Sequence, residues 1–364
     1  PQKKVASVDI PDVDIEIIGR THQKIGFGNH KGNRFTIVTR GCAHEDGSPM
    51  TESEAMDRIA VIEAKMREQI GDGLFPNWIG PQRFGASRPV TPVVGSYVIR
   101  DDWKNAVMTY LSMEGDENDD VYQFRKHIRE NGVTEESLEI IPHWLGFEKD
   151  MIRHLVSNPE DWVGAFRKLP NNLQLMTVHS LQSVAFNKTI KSRIDNGVAI
   201  STPIIGDIVG RIDDNRQLEP ASMVTVEDRT LERISRNCQL GRLAVTGQLP
   251  GSQMMQPSGE FALIEKSVIE EMGLKDTTWE VEKIAKLTTK GTRRPMVTNF
   301  SEFQYEPVPI AGEETMGDKW NSGVTDGELW HPDGACIRFR FTLPSGSYAT
   351  TLLREFLRSP LKQL

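Results

Sequence analysis

Asn77-Trp78-Ile79-Gly80-Pro81-Gln82-Arg83-Phe84-Gly85 has the composition of a site carried on a loop. Its two glycines and proline shape backbone rather than fill a core. Asn77 and Gln82 offer directional amides, Arg83 a guanidinium, and Trp78 and Phe84 bracket them with aromatic surface. Such a set suits a planar, hydrogen-bonding, negatively charged partner. It also fits a plain structural turn, because Gly and Pro dominate loops for backbone reasons alone. The flanking chain has to decide between the two.

Upstream, Thr51 to Ile70 reads as a helix. Thr51 or Ser53 can cap it, and Ala55, Ile59, Ile62 and Met66 recur at helical spacing. Gly71-Asp72-Gly73 stops it and delivers the chain to the motif. Earlier still, Asn33–Arg40 is rich in Phe, Thr, Ile and Val and reads as a strand. Val13–Ile18 alternates apolar and acidic residues and is also expected to be a strand. Gly26–Gly32 is a basic, turn-rich loop. It is neither a dinucleotide fingerprint nor a P-loop, because three residues separate its last two glycines and no GK[ST] follows.

Downstream, Val90–Ile99 is apolar and leads through Asp101-Asp102 into a helix over Trp103–Leu111. Beyond the acidic stretch Glu114–Asp120 the chain reads as helical to about Leu175. Leu175–Arg193 is the strongest helix, with Val178, Leu181, Ala185, Phe186 and Ile190 on or near one stripe. Ile204–Gly210 reads as a buried strand pair about a turn, with Asp207 a turn residue. A helix over Leu231–Leu240, a strand over Leu243–Thr246, a turn at Leu249-Pro250-Gly251, a helix over Glu265–Met272 and a strand over Phe303–Val308 follow. Ala311–Gly334 is loop-like. Ile337–Leu343 alternates apolar and basic residues over a full strand, so Arg338 and Arg340 face water or something acidic. Thr350 is expected to cap a last helix running through Arg358.

With 364 residues the chain has room for two domains, or for one large domain with an insertion. No run approaches the roughly 20 apolar residues of a membrane span, and no signal-peptide pattern opens the chain. Cys42, Cys238 and Cys336 lie far apart and read as reduced thiols of a cytosolic protein. The eight histidines show no HxxxH spacing, so no metal site is expected, and no G-x-S-x-G or kinase signature appears. Net charge is −8, which alone argues mildly against nucleic acid. Its distribution argues the other way. Arg20, Lys24, Lys31, Arg34 and Arg40 form one acid-free basic run, and Lys283, Lys286, Lys290, Arg293 and Arg294 a second. Each run also fits a solvated face. An acidic chain can still present a basic groove.

The motif resembles the hallmark N-x-F/Y-G-x-Q-R-F-G of TruD-type tRNA pseudouridine synthases. Four further stretches resemble that family in its own order: Gly32–Ile37, His179–Asn187, Leu249-Pro250-Gly251 with Gly259-Glu260, and Phe341–Glu355. The chain is therefore identified as a member of the family, of archaeal type. The resemblance implies an α+β fold: a mixed, largely antiparallel pseudouridine-synthase sheet with flanking helices. Residues 1–102 and 293–364 would form this discontinuous core, and 103–292 an inserted α/β domain. The implied reaction isomerises a uridine of tRNA, position 13 in the family, with no cofactor or metal. The partner would be tRNA, with no membrane and no obligatory protein partner, in the cytoplasm.

The resemblance also implies roles. Asn77 would orient groups at the reacting nucleotide, and Tyr348 would pack on the target base. Gln82, Arg83 and Arg354 would serve as scaffold or backbone contacts. Lys31, Arg34, Lys290, Arg293 and Arg294, in the two basic runs, would track phosphates. Two departures stand out. Ile79 occupies a position where the family prefers Phe or Tyr. The family's nucleophilic Asp belongs to a G-x-x-K-D-type motif, whereas Lys31 here is followed by Gly32. The residues after it match the strand downstream of that motif, so the Asp is expected before Pro1, and the 364-residue chain alone is expected to be inactive. Asp101 and Asp102 read as cap or turn residues. A non-catalytic RNA-binding relative is the rival reading. A small-molecule enzyme using the Gly26–Gly32 loop for phosphate is a third.

Overall fold

Strand alternation organises the first layer. Ile337, Phe339, Phe341 and Leu343 must share one face and Arg338 and Arg340 the other, because the side-chain period of a strand is two. In the computed structural model, which describes residues 8, 10–20, 22, 30–85, 87–309, 323–324 and 328–357, this strand spans Cys336–Pro344. It lies between Gly32–Thr39 and Ser301–Val308, antiparallel to both. The four apolar residues are buried. The acidic partner of the other face is Glu306, whose Oε1 accepts from Arg338 Nε at 2.8 Å.

In chain order the described elements are β1 (Gly32–Thr39), α1 (Glu52–Gln69), β2 (Leu74–Pro76), α2 (Val90–Val98), α3 (Trp103–Ser112), α4 (Asp119–Asn131), α5 (Ser137–Ile140), α6 (Gly146–Ser157), α7 (Trp162–Phe166) and α8 (Asn171–Asp195). They continue with β3 (Ile208–Arg211), β4 (Val224–Thr225), α9 (Asp228–Gln239), β5 (Leu243–Leu249), α10 (Gly259–Glu271), β6 (Thr292–Pro295), β7 (Val297–Asn299), β8 (Ser301–Val308), β9 (Cys336–Pro344) and α11 (Ala349–Leu357). The sheets run β1-β9-β8, β2-β7 and β4-β3-β5-β6, and every pairing is antiparallel. The molecule is thus α+β with flanking helices.

Three apolar clusters hold these layers. In the first, Ala55, Ile59, Ile62 and Met66 of α1 and Leu352, Leu353 and Phe356 of α11 cover the apolar face of β9. Thr51 starts α1 with a capping box, its side chain accepting from Glu54 N while Glu54 Oε2 accepts from Thr51 N at 2.8 Å. In the second, Val94, Trp103, Phe124, Ile152, Phe166 and Leu181 join α2, α3, α4, α6, α7 and α8. In the third, Phe186 and Ile190 of α8 meet Val209, Val245, Phe261 and the motif residues Ile79 and Phe84. Helix α8 is therefore a spine shared by two cores.

Several expectations need correction. Val13–Ile18 forms no strand: only an isolated bridge from Ile10 to Val13 is present, and the residues are exposed. Alternation produces a strand only where a neighbouring edge accepts it. Val90–Ile99, which the sequence marks only as apolar, is mostly helix despite its β-branched residues, because α2 packs on α8. Gly95 permits the approach; a Cβ there would lie 2.1 Å from Thr177 O. α10 begins at Gly259, six residues before Glu265. α11 begins at Ala349, so Thr350 lies inside it and Tyr348 precedes it. Asp207 does sit at the turn, but it is fully buried and paired with Arg193 at 2.7 and 2.8 Å. A cut at Trp103 separates it from Val98, which shares its apolar cluster, and a cut at Arg293 divides β6, which pairs with β5. The Gly26–Gly32 loop lies almost wholly outside the described residues, as do most of Ala311–Gly334 and Arg358.

Candidate functional site

The motif divides its residues between core and cleft. Ile79 and Phe84 are buried, so Phe84 anchors the loop and offers no surface to a ligand, contrary to expectation. Asn187 of α8 holds the Ile79 peptide at both ends: its Oδ1 accepts from Ile79 N at 2.9 Å and its Nδ2 donates to Ile79 O at 2.9 Å. Pro81–Arg83 makes one 3-10 turn. Trp78 is half-buried and donates from Nε1 to Glu355 on α11 at 3.1 Å. The ring that faces the motif comes from the far end of the chain. Tyr348 lies against Gly80, where an added Cβ would sit 2.8 Å from its Cδ1. Thr350 Oγ1, two residues on, donates to Gln82 Oε1 at 3.2 Å.

Asn77 is buried and fully oriented. Its Nδ2 donates to Pro295 O at 2.9 Å, and its Oδ1 accepts from Arg294 Nη2 at 2.6 Å. The same nitrogen donates to Gly346 O at 2.9 Å. One guanidinium therefore joins the motif, β6 and the turn before α11. It also lies 5.5 Å from the centroid of the Phe186 ring. Burial pushes the Arg294 pKa down to about 10, with Tyr348 acting upward and the neighbouring Arg83 acting further downward; no carboxylate figures among these influences. Arg294 stays charged at neutral pH. His179 on α8 is pushed below its ordinary range by burial and by the same Arg83. Among the described residues no carboxylate pairs with Arg83 or Arg294, so this corner is electropositive, a condition that favours an anionic ligand.

Arg294 and Asn77 line a groove of about 240 Å³ together with Ser345–Ser347, Arg216 and Gln217. Gln217 Nε2 donates to Ser345 O at 2.9 Å, tying the segment after β3 to the turn before α11. The groove is small for a ligand site. It suits a single ring better than an extended cofactor.

The remaining expected residues are dispersed. Lys31, Gln82 and Lys290 are exposed, Arg83 is half-buried, and Arg354 is half-buried on α11. Arg354 shares a neighbouring groove with Trp78 and Lys191. Arg34 is exposed and paired with Glu302 at 2.8 Å. Arg293 is the clear correction. It is buried, and all of its N–H groups are spent on Glu265, Thr246 and Met255 O. No phosphate reaches a guanidinium in that state. The second basic run is not a stripe, because Lys283 pairs with Asp101 at 2.6 Å and Lys286 donates to Asn171. Asn187 and Gly346 lie outside the residues expected at the site, and His179 reads from the sequence as an ordinary packing or surface histidine of a helical stretch. Asn187 and His179 end and begin a stretch that resembles the family, which was the available signal. Gly346 contributes only a carbonyl, which leaves no trace in side-chain chemistry.

A family model described as tRNA pseudouridine synthase D (TruD) matches residues 1–356. The "Probable tRNA pseudouridine synthase D" of Methanosarcina mazei is 31% identical over 361 residues, covering 99% of this chain and 76% of the relative. That of Methanococcoides burtonii is 32% identical over 363 residues, covering 99% and 76%. A crystal structure from Methanosarcina mazei, of a candidate tRNA pseudouridine synthase D (TruD), superposes with a TM-score of 0.79 at 28% identity, covering 98% of this chain and 75% of that one. Sequence, fold and the order of the motif elements agree: the chain belongs to the tRNA pseudouridine synthase D (TruD) family.

Proposed function

We propose that this protein isomerises a uridine of tRNA to pseudouridine, position 13 as in the family, in the groove beside Asn77 and Arg294. The observation that carries the reading is the un-neutralised Arg83–Arg294 corner, set between the oriented amide of Asn77 and the ring of Tyr348. In the reaction the N1–C1′ glycosidic bond breaks, the uracil turns, its carbon 5 bonds to C1′ of the ribose, carbon 5 loses its proton and N1 gains one, so that the product is an isomer of the substrate. The uridine must leave its stack first, at a cost of a few kcal/mol. Stacking on Tyr348 returns about 1–3 kcal/mol. Asn77, held at both ends of its amide, presents a fixed edge to the base. Arg83, with Lys31, Arg34, Lys290 and Arg354 further out, meets phosphates. The nucleophile is an Asp upstream of Pro1, because Gly32 follows Lys31 where the family motif has Asp. The site of action is the cytoplasm, and no protein partner is required.

The test incubates tRNA with two forms of the protein, one extended by the upstream coding sequence and one of 364 residues, and detects pseudouridine by mass spectrometry. Activity in the extended form alone is expected. Activity in the 364-residue form would overturn the placement of the Asp. Salt-dependent tRNA binding without activity in either form would favour a non-catalytic RNA-binding relative.

A further inference from the structure

Neighbouring residues on a strand point to opposite faces, and β6 uses this in an asymmetric way. Arg293 turns into the inserted region. Its five N–H groups are all engaged: Nε on Thr246 Oγ1 at 2.9 Å, Nη1 on Glu265 Oε2 and Met255 O at 3.1 Å each, and Nη2 on Glu265 Oε1 and Thr246 O at 2.6 and 2.8 Å. This fixes β6 to the four-stranded sheet. Arg294 turns the other way and reaches Asn77 and Gly346. Among the described residues it uses a single nitrogen. Its Nε is buried without a partner, and its Nη1 makes no hydrogen bond among the described residues. A guanidinium that served packing alone would be discharged as Arg293 is.

What Nη2 holds is specific. With Nδ2 on Pro295 O and Oδ1 on Arg294, the Asn77 amide cannot turn over. Gly346, at φ +83°, carries the carbonyl that shares this nitrogen, and Tyr348 follows two residues later. The amide edge and the ring are thereby set relative to each other, from a strand that is itself fixed to the inserted region. We propose that Arg294 is a positioning residue of the uridine reaction, which holds the Asn77 amide and the turn bearing Tyr348 in one geometry. This inference rests on the function proposed above.

The test uses the protein with its upstream sequence and the variants Arg294→Ala, Arg294→Gln, Arg294→Lys, Asn77→Ala and Arg294→Ala with Asn77→Ala. Circular dichroism checks folding, and Arg294→Gln replaces Arg294→Ala if the smaller side chain unfolds the protein. Arg294→Ala is expected to slow single-turnover pseudouridine formation by roughly 100-fold, the scale of a small misplacement, with the tRNA Kd within about threefold of wild type. Arg294→Lys recovers part of the rate, since an ammonium keeps the charge without the planar fork. In the Asn77→Ala background, Arg294→Ala costs less than about threefold, because residues acting as a unit are non-additive. The chain has five tyrosines, so 3-fluorotyrosine labelling gives a resolvable fluorine NMR spectrum, with Tyr348 assigned by Tyr348→Phe. Its resonance moves in Arg294→Ala.

A Kd that rises in step with an unchanged rate would make Arg294 a phosphate contact and overturn the inference. Multiplying effects of Arg294→Ala and Asn77→Ala would also overturn it. An unmoved Tyr348 resonance would refute the tether whether or not pseudouridine forms. A wild-type protein that makes no pseudouridine would refute the function and the catalytic part of this inference, and the resonance would still decide the tether.

Discussion

Replacing Gly80 with Ala adds one methyl group at the contact between the motif and Tyr348. Gly80 has φ −73° and ψ 161°, which any residue adopts, so the backbone bears no strain. The cost is steric. The new Cβ would lie 2.7 Å from Gln82 Oε1, 2.8 Å from Tyr348 Cδ1 and 3.1 Å from Tyr348 Cγ. Gln82 is exposed and swings away. The tyrosine is less free, because its main chain is held: Tyr348 O accepts from Thr351 N at 3.2 Å and from Thr351 Oγ1 at 2.8 Å. Carbon pairs settle at about 3.5 Å or beyond, so the ring must move by roughly 0.7 Å. Overpacking of this kind destabilises by about 1–3 kcal/mol. If the target base stacks on Tyr348, as proposed, a displaced ring also forfeits up to roughly 1–3 kcal/mol of that stacking, a slowing of about 5- to 150-fold. Urea unfolding and single-turnover pseudouridine formation read the two effects. In a Tyr348→Ala background the stability cost should fall below about 0.5 kcal/mol. Wild-type rate and stability in Gly80→Ala, or an equal cost without the tyrosine ring, would refute the reasoning.

Arg293→Met should lower stability by about 3–5 kcal/mol in urea titrations, because it strands the buried Glu265 carboxylate, whose pKa burial already pushes up; Glu265→Leu in the same chain should restore much of the loss. Thr51→Ala removes the capping box of α1 and should cost about 1 kcal/mol by the same assay. His179 has a native pKa below its ordinary 6.5, so the native state binds fewer protons than the unfolded state. Its contribution to stability is complete above pH 6.5 and is lost as pH falls below that value. Urea midpoints between pH 5 and 8 should therefore rise with pH, and His179→Gln should flatten part of that slope. Arg83→Ala should weaken tRNA binding across sequences and reduce the salt slope of the affinity by about one.

Much of the scaffold can be read locally. α1 is visible in the spacing of Ala55, Ile59, Ile62 and Met66 and in its capping pair, and β9 in its alternation. Both signals depend only on neighbours along the chain, and the burial pattern follows them. The motif announced a site, and its order with Tyr348 pointed to one family. Helix α2 was not legible as a helix, because its β-branched residues adopt that form only where Gly95 lets it close on Thr177. Val13–Ile18 shows the converse, a strand pattern without a neighbouring edge. The charges divide most sharply. Arg293 and Arg294 are identical in sequence terms, and a one-residue step along the strand sends the first to Glu265 and the second to Asn77. Their partners lie 28 and 217 residues away along the chain. The sequence by itself determined the elements and the family signature, since periodicity and capping are local. Only the tertiary structure decided which cation is core, which lines the groove and which aromatic faces the motif, because those depend on what long-range closure brings alongside.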